Sequence, residues 1–386
     1  MLTRHRIALL AATIVAGLGF GAARADTIKV GITFSATGPA ASLGIPEANS
    51  VALFPKQIGG ADVEYIMLDD GSDTGRAVAN TRKLIDENNV DIIFGSTVSP
   101  AAISMVSVAA EKKVPMIAAA ASGAIIAPMD DNRHWVFKTP QNDGLMADAI
   151  VENMVKQGIK SVAFIGFNDA YGDGWLKEFT RSSKAAGIAL VDAEKFARQD
   201  TSVTAQTLKM IAAKPQAVLI AGSGPAPALP QRTLKERGYR GLIYQTHGVA
   251  NTEFLKIGGK DVEGTLLPTG PYLIAEQLPD SNPVKAVALD YKKRYEDKYG
   301  AGTASTFGAN ANDCERLFEA AVPGALAKAK PGTPEFRAAL RDGIEGLHGV
   351  VLDHGVATMS PTDHNGFDTS ARVMVKIENG AWKLLP

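Results

Sequence analysis

Short apolar runs rich in β-branched residues recur along the chain, with helix-patterned stretches between them. This alternation limits the possible folds more than any other feature. Ile28–Phe34, Val63–Leu68, Asp91–Gly95, Val114–Ala120, Ser161–Phe167, Ala217–Gly222 and Leu242–His247 read as buried parallel strands. Between them, Thr74–Asn88 places Ala77, Val78, Leu84 and Ile85 on one side and Arg76, Arg82, Lys83 and Glu87 elsewhere. Asp143–Gln157 and Trp175–Ala186 repeat that pattern. Successive βα units predict open parallel sheets with helices on both faces.

One set of units precedes about Pro140 and one follows it. The expected fold class is therefore α/β, with two doubly wound Rossmann-like lobes. A length of 386 residues with 46% apolar content supports two cores. Lys292–Tyr299 and Glu315–Ala329 form a later helical region, and Ala371–Leu385 reads as a hairpin turning at Glu378-Asn379-Gly380.

Ahead of the first strand, Arg4, His5 and Arg6 precede the apolar stretch Ile7–Phe20, and Ala23-Arg24-Ala25 fits a small-x-small cleavage site. Residues 1–25 are expected to be an export signal. No other apolar run reaches the roughly 18 residues of a membrane-spanning helix. The formal charge of −1 leaves no basic excess for nucleic acid or an anionic membrane. Cys314 is the only cysteine, so it has no internal disulfide partner and reads as a small buried apolar residue. An exported α/β protein meets solutes but few diffusible cofactors, which favours a receptor over a metabolic enzyme.

The sequence contains no G-x-x-x-x-G-K-[ST], no G-x-G-x-x-G after a strand, no G-x-S-x-G elbow and no H-E-x-x-H. Asp69-Asp70-Gly71-Ser72-Asp73 departs from the calcium-loop pattern and reads as a strand end followed by a helix cap. No cofactor, metal or catalytic activity is expected.

Ligands of open α/β sheets bind beyond the carboxyl ends of the strands. There, Ser99-Pro100 opens a helix whose free N–H groups suit a carboxylate. The plainer reading is that Ser99 only caps that helix. Ser122, after the next strand, supplies a second hydroxyl. Tyr171-Gly172-Asp173-Gly174-Trp175 could close over a ligand from the second set of strands. His247 is either a ligand group or structural.

At these residues the chain resembles the type I periplasmic binding proteins, in particular the leucine/isoleucine/valine-binding family of ABC transporters. The resemblance is carried by Ser35-Ala-Thr-Gly-Pro-Ala-Ala-Ser-Leu-Gly44, Phe94–Ser99, Ala118–Ser122, Asp169–Gly172 and Thr246–Val249. It implies two lobes joined by a three-stranded hinge, with crossovers near Thr139–Gln141, Pro268–Tyr272 and Val350–Gly355. Lobe one is then 26–140 plus 272–350, and lobe two 141–271 plus 351–386. Ser99, the Ala120 carbonyl and Ser122 would hold the ligand carboxylate, faced by Tyr171 and His247. Leu43 stands where relatives place an aromatic wall.

The resemblance also implies a monomer, secreted into the periplasm, that delivers its ligand to ABC permease subunits. Amino-acid binders carry an acidic residue at the position of His247, and this chain does not. Asn310-Ala311-Asn312-Asp313 likewise departs from the usual aromatic. Both departures resemble the branch that binds aromatic acids. Asp169 or Asp173 could restore the missing charge, which would leave an amino-acid receptor as the alternative. A ligand-sensing subunit and a secreted serine hydrolase are the remaining readings.

Overall fold

A computed structural model describes residues 27–386, so the expected export signal lies outside the described residues. The first sheet is built from β1 (Thr27–Phe34), β2 (Gln57–Ile58), β3 (Ala61–Asp69), β4 (Ile92–Gly95), β5 (Met116–Ala118) and β6 (Val136–Lys138). Their order is β2-β3-β1-β4-β5-β6, and all pairs but β2–β3 are parallel. Neighbouring residues along each strand face opposite layers. Ile28, Val30, Ile32 and Phe34 join Phe94 in the layer under the helices Thr306–Leu326 and Pro334–Glu345. Ile93 and Met116 lie in the other layer, under Thr74–Asp86 and Ser99–Glu111. Burial on both faces explains why these strands read as continuous apolar runs.

The second sheet contains β7 (Ser161–Phe167), β8 (Ala189–Phe196), β9 (Ala217–Ala221), β10 (Leu242–Gln245) and β11 (Leu266–Thr269), all parallel. A small separate hairpin, β12 (Val350–Leu352) and β13 (Gly355–Ala357), precedes β14 (Val373–Glu378) and β15 (Ala381–Leu384), which extend the second sheet antiparallel. The order is β15-β14-β11-β10-β9-β7-β8. Asn379 and Gly380, both at positive φ, make the two-residue turn between β14 and β15 expected from the sequence. The chain is thus an α/β protein of two doubly wound lobes.

Residues 351–367, expected in lobe two, pack on lobe one instead. Leu352, Ala357 and Met359 belong to its core, and Phe367 packs against it. Asp313 on helix Thr306–Leu326 holds this segment, accepting the Asp353 N–H at 2.6 Å and bonding His354 Nδ1 at 2.8 Å. Passage to lobe two comes later, near Asp368–Arg372. The three passages meet where Gln141 Nε2 donates to the carbonyls of His354 and Ala371. A Cβ on Gly270 would lie 2.5 Å from that Nε2, so the second passage needs glycine there.

Candidate functional site

In each sheet the strand order reverses beside its first strand, between β1 and β4 in lobe one and between β7 and β9 in lobe two. Loops diverge at such a switch point and leave a crevice. The two crevices face each other and form one narrow cleft, part of it open to solvent. Lobe one lines it with Leu43, Thr97, Val98, Ser99, Ala119 and Ala121. Lobe two contributes Tyr171, Arg198, Ser223, His247 and Gly248. Pro140, Gln141, Gly270, Thr306, Phe307 and Asn310 close the hinge side. Leu43 reaches the cleft because helix Ala41–Ser50 lies against the loop after β1. A Cβ on Gly44 would sit 2.1 Å from the Ser35 carbonyl oxygen, so only glycine permits that approach.

Ser99 is the first residue of helix Ser99–Glu111, with Val98 at the N-cap and no side-chain cap. Its hydroxyl therefore does not cap the helix. Ser99 Oγ accepts the Ser122 N–H at 3.2 Å, which leaves the hydroxyl proton free to donate into the cleft. The structure does not bring the Ser122 hydroxyl to the same place. That hydroxyl accepts the Ala124 N–H at 3.3 Å and lines a neighbouring pocket beside Asp143 and Gly174. Ala120 turns its side chain into the lobe-one core, while Ala119 and Ala121 line the cleft.

In lobe two, Thr246 Oγ1 donates its single proton to the Gly222 carbonyl at 2.8 Å. The Tyr171 hydroxyl, 2.9 Å from Thr246 Oγ1, must then be the donor of that pair. Tyr171 consequently offers a ligand only an accepting oxygen. His247 stands in a short turn after β10, against Trp175 at 5.7 Å between ring centroids. Neither ring nitrogen has a hydrogen-bond partner in the protein. Burial, reinforced by Lys138 and His354, pushes its pKa down to about 3, so the imidazole is neutral.

Neither acid named in the sequence is available to a cleft ligand. Asp169 caps helix Ala170–Ala185, accepting the Tyr171 and Gly172 N–H groups, and pairs with Arg198 at 2.9 Å. Asp173 pairs with Lys195 on the surface. Among the described residues, no carboxylate lines the cleft, and Arg198 is its one formal charge. Lys138 and Asp143 lie buried behind it. Burial lowers the lysine's pKa and raises the aspartate's, each partly offset by the other.

Asn310 lines the cleft with Oδ1 unpartnered, whereas Asn312 donates to Asp353 at 2.7 Å and so braces the hinge. Sequence reasoning missed Arg198 and Ser223. Ser223 directly follows Gly222 at a strand end, so the rule that found Ser99 would have found it. Arg198 follows β8, an edge strand whose alternating exposed and half-buried residues lack the apolar signature.

The sequence profile of the periplasmic binding proteins matches residues 27–381, and the chain belongs to that family. It is 28% identical to a leucine-, isoleucine-, valine-, threonine- and alanine-binding protein of Pseudomonas aeruginosa, across 77% of this chain and 80% of that one. An extracellular ligand-binding receptor from Rhodopseudomonas palustris superposes with a TM-score of 0.91 at 45% identity, over 94% of this chain and 100% of that chain. A solute-binding protein of an ABC transporter from R. palustris, solved with benzoate, gives a TM-score of 0.73 at 20% identity, over 93% of this chain and 95% of that one. At that identity the likeness shows the fold alone. These relatives are binding proteins, and the architecture is that of a type I periplasmic binding protein.

Proposed function

We propose that the chain is a periplasmic receptor, exported through removal of residues 1–25. It would act as a monomer that binds a small carboxylate lacking an α-ammonium, with an aromatic acid favoured, and delivers it to ABC permease subunits. His247 carries this reading. A buried ammonium needs a negative partner, because an unpaired buried charge costs several kcal/mol. A neutral imidazole with both nitrogens free offers one acceptor and no charge. Ser99 would donate to the carboxylate from the start of its helix, beside the backbone of Ala120. Leu43 and Phe307 would cover the apolar body of the ligand, and Tyr171 and His247 its far side.

The name of the Pseudomonas aeruginosa relative favours a second reading, an amino-acid receptor. Thermal unfolding of the mature protein with benzoate, 4-hydroxybenzoate, leucine, valine and alanine separates the two. The aromatic acids should raise Tm and the amino acids should not. Stabilisation by leucine or valine with both aromatic acids inert overturns the first reading.

A further inference from the structure

Arg198 stands at the boundary between the inner cleft and the outside. It lines the cleft, and it also lines the outer groove where Gly38 and Pro39 of lobe one face Pro225 and Ala226 of lobe two. His247 is instead on the hinge side, within electrostatic reach of Lys138 and His354. The cleft therefore has a mouth and a deep end, and Arg198 is at the mouth.

Its guanidinium is braced on three sides. Nε donates to Asp169 at 2.9 Å, Nη1 donates to Ser223 Oγ at 2.9 Å, and the plane lies 4.1 Å over the Phe167 ring. Only 17% of the side chain is exposed. A group so held loses little rotamer freedom on binding. Two of its five N–H donors are thus engaged, which leaves three without a partner among the described residues.

Asp169 faces Arg198 with one carboxylate oxygen and its own helix with the other. That carboxylate also accepts two backbone N–H groups at the positive end of helix Ala170–Ala185, which share its charge. Among the described residues Arg198 is the one formal charge lining the inner cleft, while the outer groove it also lines carries Asp200 and Arg232.

We propose that Arg198 is a second ligand anchor, and that the ligand is an elongated acid with a second carboxylate at the mouth end, opposite the one held by Ser99. The inference rests on the carboxylate-receptor reading and names its substrate class more narrowly. A charge-assisted hydrogen bond to a carboxylate is the strongest contact these remaining donors could make.

Calorimetric titration of the mature protein with terephthalate and with 4-methylbenzoate tests this, since the two differ in one carboxylate at similar size. Adipate and hexanoate repeat the comparison on an aliphatic body. In at least one pair the diacid should bind tenfold or more tighter. Arg198→Gln should reduce that ratio at least tenfold, and Arg198→Lys, which keeps the charge but not the fork, should reduce it in part. The lysine variant also guards against misfolding caused by an unpaired Asp169. Equal affinities within both pairs, or a ratio that Arg198→Gln leaves intact, overturn the second anchor while the receptor reading stands. If none of the four acids binds and leucine does, both readings fall.

Discussion

His247 lines the cleft with an imidazole that burial keeps neutral. Its folded pKa of about 3 is below the ordinary value of 6.5. Between those values the unfolded state binds the extra proton and the folded state does not. Stability from this residue therefore rises with pH by about 1.4 kcal/mol per unit and levels off above about pH 6.5. His247→Asn should flatten that slope. Urea unfolding at about pH 4.5 and pH 7 reads the effect as a smaller loss of stability on acidification than the wild type shows. An identical loss in both proteins would mean that the fold does not hold the imidazole neutral.

At the scale of elements, the start of helix Ser99–Glu111 and the loop after β5 form one unit, because the Ser122 N–H orients the Ser99 hydroxyl. The hydroxyl is left for the ligand in the proposed reading, while the helix keeps its own first turn free of a side-chain cap. A hydrogen bond to a charged group contributes roughly 1.5–3 kcal/mol. Ser99→Ala should accordingly weaken carboxylate binding about tenfold or more, with little change in Tm. Ser122→Ala, which removes only the cap of a short turn, should shift Tm and spare affinity. The reverse pattern in calorimetry would make Ser122, and not Ser99, the ligand group.

The whole molecule is described with its lobes in contact across the cleft. Gly174 on lobe two meets Ser122 of lobe one, where a Cβ would lie 3.3 Å from Ser122 Oγ, and Asp143 of its own lobe, where it would lie 3.0 Å from Oδ2. Gly224 meets Leu43 and Ser42 in the same way. Small residues at these points let the lobes approach closely. Gly174→Val should hold them apart, weakening ligand binding by at least tenfold, with some loss of Tm from its contact with Asp143. Small-angle scattering should show compaction on ligand addition for the wild type and none for the variant. Equal compaction in both would remove the role assigned to this contact.

Much of the architecture is written locally. Ser161–Phe167 reads as a buried strand because every residue after the first is apolar or small, and it is β7 with those bounds. Asp73 caps its helix, and Asn379-Gly380 makes its turn, because short polar side chains and glycine have few other conformations to prefer. The cleft loops were legible for the same reason, since strand ends mark where a ligand can sit. Tertiary structure decided what no window of sequence carries. It placed residues 351–367 on lobe one through Asp313, which lies far off along the chain. It turned Ser122 out of the cleft and committed Asp169 to Arg198. It also brought Arg198 to the mouth from an edge strand with no apolar signature. Burial periodicity is a property of neighbouring residues, whereas the direction of a side chain and the partner that claims its charge depend on elements packed from distant parts of the chain.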